Sequence, residues 1–350
     1  MPDRFDLRRL YETMVLIRLF EPEAERQYKK ANIGGYCHLS TGQEAATVGA
    51  VTPLGEQDYL VMSYRTHGLA LARGTPPEAV MAELFGREGG CARGRGGSMH
   101  LLDVERNMLG GWGIVCGQLP IATGIALALV QRGRPHAVLC ELGDGAVNMG
   151  AWHESLNLAG VWNLPIVYLV MNNQYGMGTP VEEASAEPEL YKRAAAYRIL
   201  GERVDGDDLE AMLEASDRLL TRAREKRRPA VLEAMTYRYR GHSVADAGLA
   251  YRSKEEIEER RSAHDAIALI ADRLRARGEL SDDDVERIEE QQRGRVEQAV
   301  AYAVESPLPQ ESTLAHHVYA DPAFQRQFAR MRPGSPFGES ELVFDRGLTS

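Results

Sequence analysis

The chain has 350 residues, 44% of them hydrophobic and 26% charged, and carries a net charge of -10 at neutral pH. This composition is that of a soluble globular protein and excludes fibrous and disordered classes. The acidic balance argues against a nucleic-acid partner, which needs a basic patch or stripe, so a small anionic ligand would have to be met by local basic groups.

At this length one large α/β core with helical additions is expected, giving a single domain over 1–350. Cys37, Cys91, Cys116 and Cys140 form no CxxC pair and suit neither a disulfide framework nor a zinc site, which points to a reducing compartment. The N-terminal stretch carries acidic residues and no apolar core of a signal or transit peptide. Apolar runs such as 121–130 are too short to span a bilayer. A cytoplasmic protein without a membrane partner is the expectation.

Leu7, Leu10, Met14 and Ile17 recur at helical spacing and predict an amphipathic first helix that the Gly34-Gly35 pair should end. GREGGCARGRGG at 86–97 is too rich in glycine for a regular element and reads as a loop, a flexible surface excursion or a functional one. A small-residue segment at 119–130, a strand at 136–142, a helix at 148–160 and a strand at 164–171 then form a βαβ unit, hence parallel sheet. A helical pattern over 209–226 leads to a third strand at 230–236. From about 253 the chain turns to charged helix, opened by Ser253-Lys-Glu-Glu256, which fits a capping box, and continued through Ser281-Asp-Asp-Asp284. Beyond about 307 no periodicity stands out.

The strongest chemical signal is GDGAVNMG at 143–150 together with Asn172-Asn173 one strand later. Asp144 and Asn173 then stand at the carboxyl ends of neighbouring parallel strands, where open α/β sheets bind ligands. Both offer hard oxygen atoms that suit magnesium, whose shell phosphate and water can complete. A bridging cation is the physical reason to set a carboxylate beside a phosphate. Gly143 and Gly145 allow a close approach of backbone to ligand. A GDG triplet alone is usually an ordinary turn; the strand before it and the Asn pair after it raise its weight. No GxGxxG follows a strand and opens a helix, which disfavours a nicotinamide enzyme.

With GYCHLSTGQEA around His38, YRTHG at 64–68, GGSMH at 96–100, GGWGIV at 110–115 and TYRYRGHS at 236–243, the segment resembles the alpha subunits of thiamine-diphosphate-dependent 2-oxoacid dehydrogenases, the pyruvate-decarboxylating kind in particular. The motifs keep family order from near residue 5 to beyond 305. The resemblance implies an α/β thiamine-diphosphate-binding fold, a mainly parallel sheet with helices on both faces. It implies thiamine diphosphate and Mg as cofactors, and the oxidative decarboxylation of pyruvate with transfer of the acetyl unit to a lipoyl group. Its partners would be a beta subunit, in an α2β2 heterotetramer, and the lipoyl domain of the acyltransferase component.

Matched by motif, Asp144, Asn173 and the carbonyl of Tyr175 ligate magnesium. Tyr64, Arg65, Arg238 and His242 contact the diphosphate, where an Arg fork suits phosphate oxygens. Gly113 and Val115 meet the aminopyrimidine, Gly143, Gly145 and Ala146 line the diphosphate site, and Met177 wedges the cofactor. His38 and His242 are the catalytic candidates, with His67 and His100 placed toward the substrate as well. His153, Glu154, His264, His316 and His317 carry no motif and read as packing or solvated groups. Trp112 and Cys116 depart from the family pattern, and Cys116 reads as a buried inert thiol. Acetoin and branched-chain 2-oxoacid dehydrogenase subunits are the rival readings within the class; a catalytically silent scaffold is the rival outside it. The glutamate that would protonate the aminopyrimidine is not identifiable: Glu44 and Glu83 fall in predicted helices, and the beta subunit is expected to supply it.

Overall fold

The computed structural model describes residues 4–313; those up to Ser306 belong to one compact unit, whose fold follows. In the second unit, which begins at Pro307, the described residues form a short 3-10 turn, Glu311–Thr313. The single-domain expectation over 1–350 and the readings of His316 and His317 extend outside the described residues.

The first helix, α1 (Leu7–Lys29), buries Leu7, Tyr11, Met14, Ile17, Phe20 and Ala24 along one stripe and is capped by the Asp6 side chain on Arg9 N. Each such large apolar side chain removed from water stabilises the fold by roughly 1.5–3 kcal/mol. The helix ends before Gly34-Gly35. Ala31 takes φ 60° and turns the chain, while the Asn32 amide donates to the Gln27 side chain, so the last turn is closed without glycine.

Three short helices, α2 (Glu44–Val51), α3 (His67–Arg73) and α4 (Pro77–Leu84), surround the strand β1 (Tyr59–Met62) in sequence. Then come β2 (Met108–Gly111), α5 (Gln118–Gln131), β3 (Val138–Gly143), α6 (Gly150–Trp162) and β4 (Ile166–Asn172). A two-stranded antiparallel ribbon, β5 (Tyr175–Gly176) with β6 (Thr179–Pro180), precedes α7 (Val181–Ala184). The strand β7 (Leu200–Asp205), α8 (Leu209–Lys226) and β8 (Ala230–Met235) complete the sheet, and α9 (Lys254–Ala263), α10 (Ala266–Ala276) and α11 (Asp282–Glu305) close the unit.

The main sheet is parallel throughout, in the order β2-β1-β3-β4-β8-β7. Side chains alternate between two cores: Leu139, Val167 and Leu169 face the cluster built with α1, α2, α8, α10 and α11, whereas Val138, Cys140, Tyr168 and Val170 face the cluster of α5 and α6. Both faces are covered, which explains why β3 and β4 read as continuous apolar runs. From β1 the chain steps outward to β2 and then back across to β3, so a switch point lies between β1 and β3.

The charged region from about 253 is helical, but only one of its two caps closes as the sequence suggests. At Ser281 both halves of the capping box form with Asp284. At Ser253 the hydroxyl accepts from Glu256 N, while the Glu256 carboxylate turns away to accept from the hydroxyls of Tyr175 and Tyr237.

The glycine-rich stretch 86–97 is an ordered wrap around one buried carboxylate rather than a free excursion. Glu83, at the end of α4 and closed to solvent, accepts the backbone N–H groups of Ala92, Gly94, Gly96 and Gly97. A Cβ on Gly90 would lie 2.3 Å from the Glu83 carboxylate and 2.6 Å from its Cα, so the glycine there is a steric requirement.

Candidate active site

Four strand ends deliver the site. Ser63, Tyr64 and Arg65 follow β1, Asp144 follows β3, Asn173 follows β4, and Arg238 and His242 come after β8. They surround a cavity of about 660 Å³ at the switch point, and His38, Tyr64, Arg65, Gly113, Val115, Gly143, Asp144, Gly145, Ala146, Asn173, Tyr175, Met177, Arg238 and His242 all line it.

GDG does not open the helix directly. Residues Asp144–Asn148 form a 3-10 turn and α6 begins at Gly150, two residues later than the sequence pattern suggests. The turn seats the Asp144 side chain, only 4% exposed, at the cavity floor, where burial pushes its carboxyl up to about 6 against the pull of Arg238 and Arg65. Nothing lies within 4 Å of where a Cβ on Gly143 would sit, so this glycine leaves room in the cavity wall. Three non-glycine residues around the cavity hold positive φ: Cys116 at 65°, Gln174 at 73° and Met177 at 56°. Backbone strain of this kind concentrates at functional sites.

The loop from Asn173 to Met177 is held from the β8 side. Arg238, fully buried, donates from Nη1 to Asn173 Oδ1 at 2.9 Å and to the Tyr175 carbonyl at 2.7 Å, and from Nη2 to the Met177 carbonyl and to the Tyr251 hydroxyl. Arg252 stacks its guanidinium over the rings of Tyr175, Tyr237 and Tyr251 at 5.2–5.5 Å and donates to the carbonyls of Arg238 and Arg240. Sequence reasoning did not single out Arg252, whose partners are scattered along the chain.

Arg65, expected to meet a diphosphate, lines the cavity and also holds backbone on two sides of it. Its two terminal nitrogens donate to the carbonyls of Leu39 and His242, which ties the His38 segment to the His242 segment. The rings of His38, Tyr64 and His242 pack together, with centroids 4.6–5.7 Å apart. Burial, with the charges of Arg65 and neighbouring His242, lowers His38 to about 2; burial, with Arg65 and Arg238, lowers His242 to about 4. Both imidazoles are therefore neutral near pH 7, and His38 Nδ1 is buried without a partner.

The other two histidines do not reach the cavity. His67 is fully buried behind it, bonded to Glu21 and Ser98. His100 bonds the Gly111 carbonyl and its ring stands against the backbone of Gly113. His153 pairs with the Tyr197 hydroxyl on the surface.

Of the two departures from the family pattern, Trp112 packs against the α5–α6 core, and its Nε1 donates to the Leu109 carbonyl. Cys116 does line the cavity; burial raises its thiol to about 11 and Sγ donates to the Ala146 carbonyl, so it is a protonated structural thiol. Glu44 is shut in a pair with Arg18, and Glu83 holds the glycine wrap, so neither reaches a ligand in the cavity. Glu141 does line the cavity, 3% exposed, accepting from Ser63 N. It went unnoticed because one acidic residue inside an apolar strand carries no sequence signature.

Among the described residues no three His, Cys, Asp or Glu side chains gather as a metal site. Any cation here would depend on one carboxylate, one amide and one carbonyl, a hard-oxygen set that fits magnesium with phosphate oxygens added and fits zinc poorly.

The chain belongs to the dehydrogenase E1 component family, whose model matches residues 12–312. Among its relatives, it is 43% identical over 304 residues to the pyruvate dehydrogenase E1 component subunit alpha of Rhizobium meliloti, an alignment covering 87% of each chain. It is 41% identical over 323 residues to the somatic mitochondrial forms of the same subunit from Rattus norvegicus and Homo sapiens, covering 92% of this chain and 82% of each relative.

Proposed function

We propose that this chain is the thiamine-diphosphate-binding alpha subunit of a pyruvate dehydrogenase, which decarboxylates pyruvate and passes the acetyl unit to a lipoyl group. The observation that carries this reading is the convergence of Asp144, Asn173, the Tyr175 carbonyl, Tyr64, Arg238 and His242 on one cavity at the sheet's switch point. The names of the relatives support the substrate.

Thiamine diphosphate, when bound, supplies the electron sink that decarboxylation of a 2-oxoacid requires. The residues of this chain bind and orient. Asp144, Asn173 and the Tyr175 carbonyl would hold a magnesium ion against the diphosphate, and Tyr64, Arg65, Arg238 and His242 would meet its oxygens. Gly113 and Val115 would face the aminopyrimidine, and Met177 would stand as the wedge. His38, neutral and on the cavity wall, would face the substrate carboxylate and could orient it through a donated hydrogen bond.

A beta subunit as partner is supported by two features. The glutamates considered for proton transfer, Glu44 and Glu83, are committed to structure. Ile114, Val115 and Met177 stand 76%, 42% and 65% exposed beside the cavity, an apolar rim that a partner would cover. The lipoyl domain of the acyltransferase component, the α2β2 stoichiometry and a cytoplasmic location belong to the same proposal.

The test is oxygen-free carbon dioxide release by the chain assembled with its beta subunit, thiamine diphosphate and magnesium. Turnover of pyruvate well above that of branched-chain 2-oxoacids and acetoin is expected. A preference for either rival substrate would move the chain to that subfamily, and no turnover of any would make it a scaffold.

A further inference from the structure

Two of the three oxygens assigned to the metal share a single donor. Arg238 Nη1 reaches both Asn173 Oδ1 and the Tyr175 carbonyl, at 2.9 and 2.7 Å, while Nη2 takes the Met177 carbonyl two residues on and the Tyr251 hydroxyl. The guanidinium is fully buried, its Nε has no partner, and Asp144 lies close enough for the two charges to interact. From above, the Arg252 stack and its bonds to the Arg238 and Arg240 carbonyls fix the segment that carries it. A cation therefore bridges the loop oxygens that a magnesium ion would need, and it is built into the chain.

We propose that Arg238 is a stand-in cation that keeps free magnesium out of the site and yields it only when a diphosphate arrives with the metal. This inference rests on the metal reading given above. Magnesium requires its oxygens at about 2.0–2.1 Å in a near-octahedral shell. A guanidinium nitrogen already bonded to two of them competes for their lone pairs and repels a dication in a poorly screened interior. A diphosphate reverses the balance: its oxygens offer the planar fork a stronger partner than an amide and a carbonyl. The guanidinium then turns onto the phosphate, Asn173 and Tyr175 are released to the metal, and charge is neutralised in one event. The ligand selected is the metal–diphosphate complex, not the free metal.

The opposite role is physically reasonable and makes the sign of the effect decisive. Were Arg238 a supporting group that orients the two oxygens for the metal, its loss would weaken metal binding. The experiment is calorimetric titration of magnesium into the full chain assembled with its beta subunit and freed of cofactor, alone and with inorganic pyrophosphate. In the wild type, magnesium is expected to bind at least tenfold more tightly with pyrophosphate than without. Arg238→Met is expected to tighten binding of magnesium alone at least tenfold and to weaken binding of pyrophosphate. Arg65→Met removes a positive charge from the same cavity without freeing either oxygen, so an equal gain there would reduce the effect to a general field and overturn the inference. An unchanged or weaker magnesium affinity in Arg238→Met would also overturn it.

Tyr251→Phe removes one anchor of the same guanidinium with less disturbance. It is expected to move magnesium binding two- to threefold in the same direction, and no change in a folded Tyr251→Phe protein counts against the proposal if Arg238→Met does not fold. Wild-type protein that binds magnesium alone as tightly as with pyrophosphate refutes it without any variant. If no protein binds magnesium even with thiamine diphosphate present, the metal reading itself fails, a result distinct from all of these.

Discussion

Glu21 on α1 and His67 at the start of α3 hydrogen-bond at 2.8 Å with both side chains sealed from solvent. The same carboxylate accepts from the Ser40 backbone and hydroxyl, and the other ring nitrogen of His67 meets Ser98. Burial pushes Glu21 up, but His67 and the Ser40 donors outweigh it and hold the carboxyl below its ordinary value. One buried pair thus joins the first helix to the segments that carry His38, Arg65 and Met99. Glu21→Ala strands three buried donors and is expected to cost about 3–5 kcal/mol, read by urea denaturation. A loss below 1 kcal/mol would show that the pair merely fills space.

Glu83 offers two oxygens to four backbone donors, so Glu83→Gln replaces one acceptor with an amide that faces N–H groups. The expected cost is about 2–3 kcal/mol, together with protease cleavage between Gly86 and Gly97 that the wild type resists. Unchanged cleavage would mean that the wrap is held by other contacts.

Asp144→Ala tests the metal reading. Removing the anionic ligand is expected to abolish most of the coupling between magnesium and thiamine diphosphate, a loss on the order of 3–5 kcal/mol by analogy with breaking a buried charge pair. Calorimetry on the assembled protein measures it, and unchanged cofactor affinity sinks the assignment.

Asp207 sets a pH dependence. Burial, reinforced by Asp205 and Glu44, raises its carboxyl to about 7, while the Thr236 hydroxyl donates to it. The folded chain keeps a proton that the unfolded chain, titrating near 4, gives up, so this contribution is full at low pH and is lost as pH rises through about 7. Asp207→Asn removes that loss. It is expected to gain on the wild type between pH 5 and pH 8 by about 1–3 kcal/mol, measured by denaturation at each pH. Parallel curves for the two proteins would show that Asp207 is ionised throughout.

The chain purified alone is expected to be inactive and prone to aggregate, with activity appearing on mixing with the beta subunit. The apolar rim of Ile114, Val115 and Met177 supports the first part, and the structural commitment of Glu44 and Glu83 supports the second. Decarboxylation by the isolated chain with cofactor, magnesium, pyruvate and an artificial electron acceptor decides it. Turnover equal to that of the mixture would require a proton donor within this chain, and Glu141 on the cavity wall would be the first residue to substitute.

Local pattern sufficed wherever a physical preference acts over a few residues. The helix Leu209–Lys226 falls where its periodicity places it, and the strands Val138–Gly143 and Ile166–Asn172 lie within two residues of the apolar runs that announce them. These elements satisfy their own hydrogen bonds or are buried on both faces, so composition alone marks them. Strands β1, β2 and β7 were not legible. The first two have four residues each, and β7 is an exposed edge that only its pairing with β8 makes a strand.

The motif residues were legible as types, and the sheet's strand order brings them to one cavity. Their partners were not. That Arg65 serves two carbonyls, that Arg238 bridges Asn173 and Tyr175, that Glu256 leaves its own helix cap for two tyrosines, and that Glu83 gathers a glycine loop all depend on contacts between distant segments. A buried charged group takes whichever donors or acceptors the fold delivers to it, because leaving it unpaired costs more than any local preference can return. Sequence determined which residues could do chemistry here; tertiary structure alone decided which of them are free to do it.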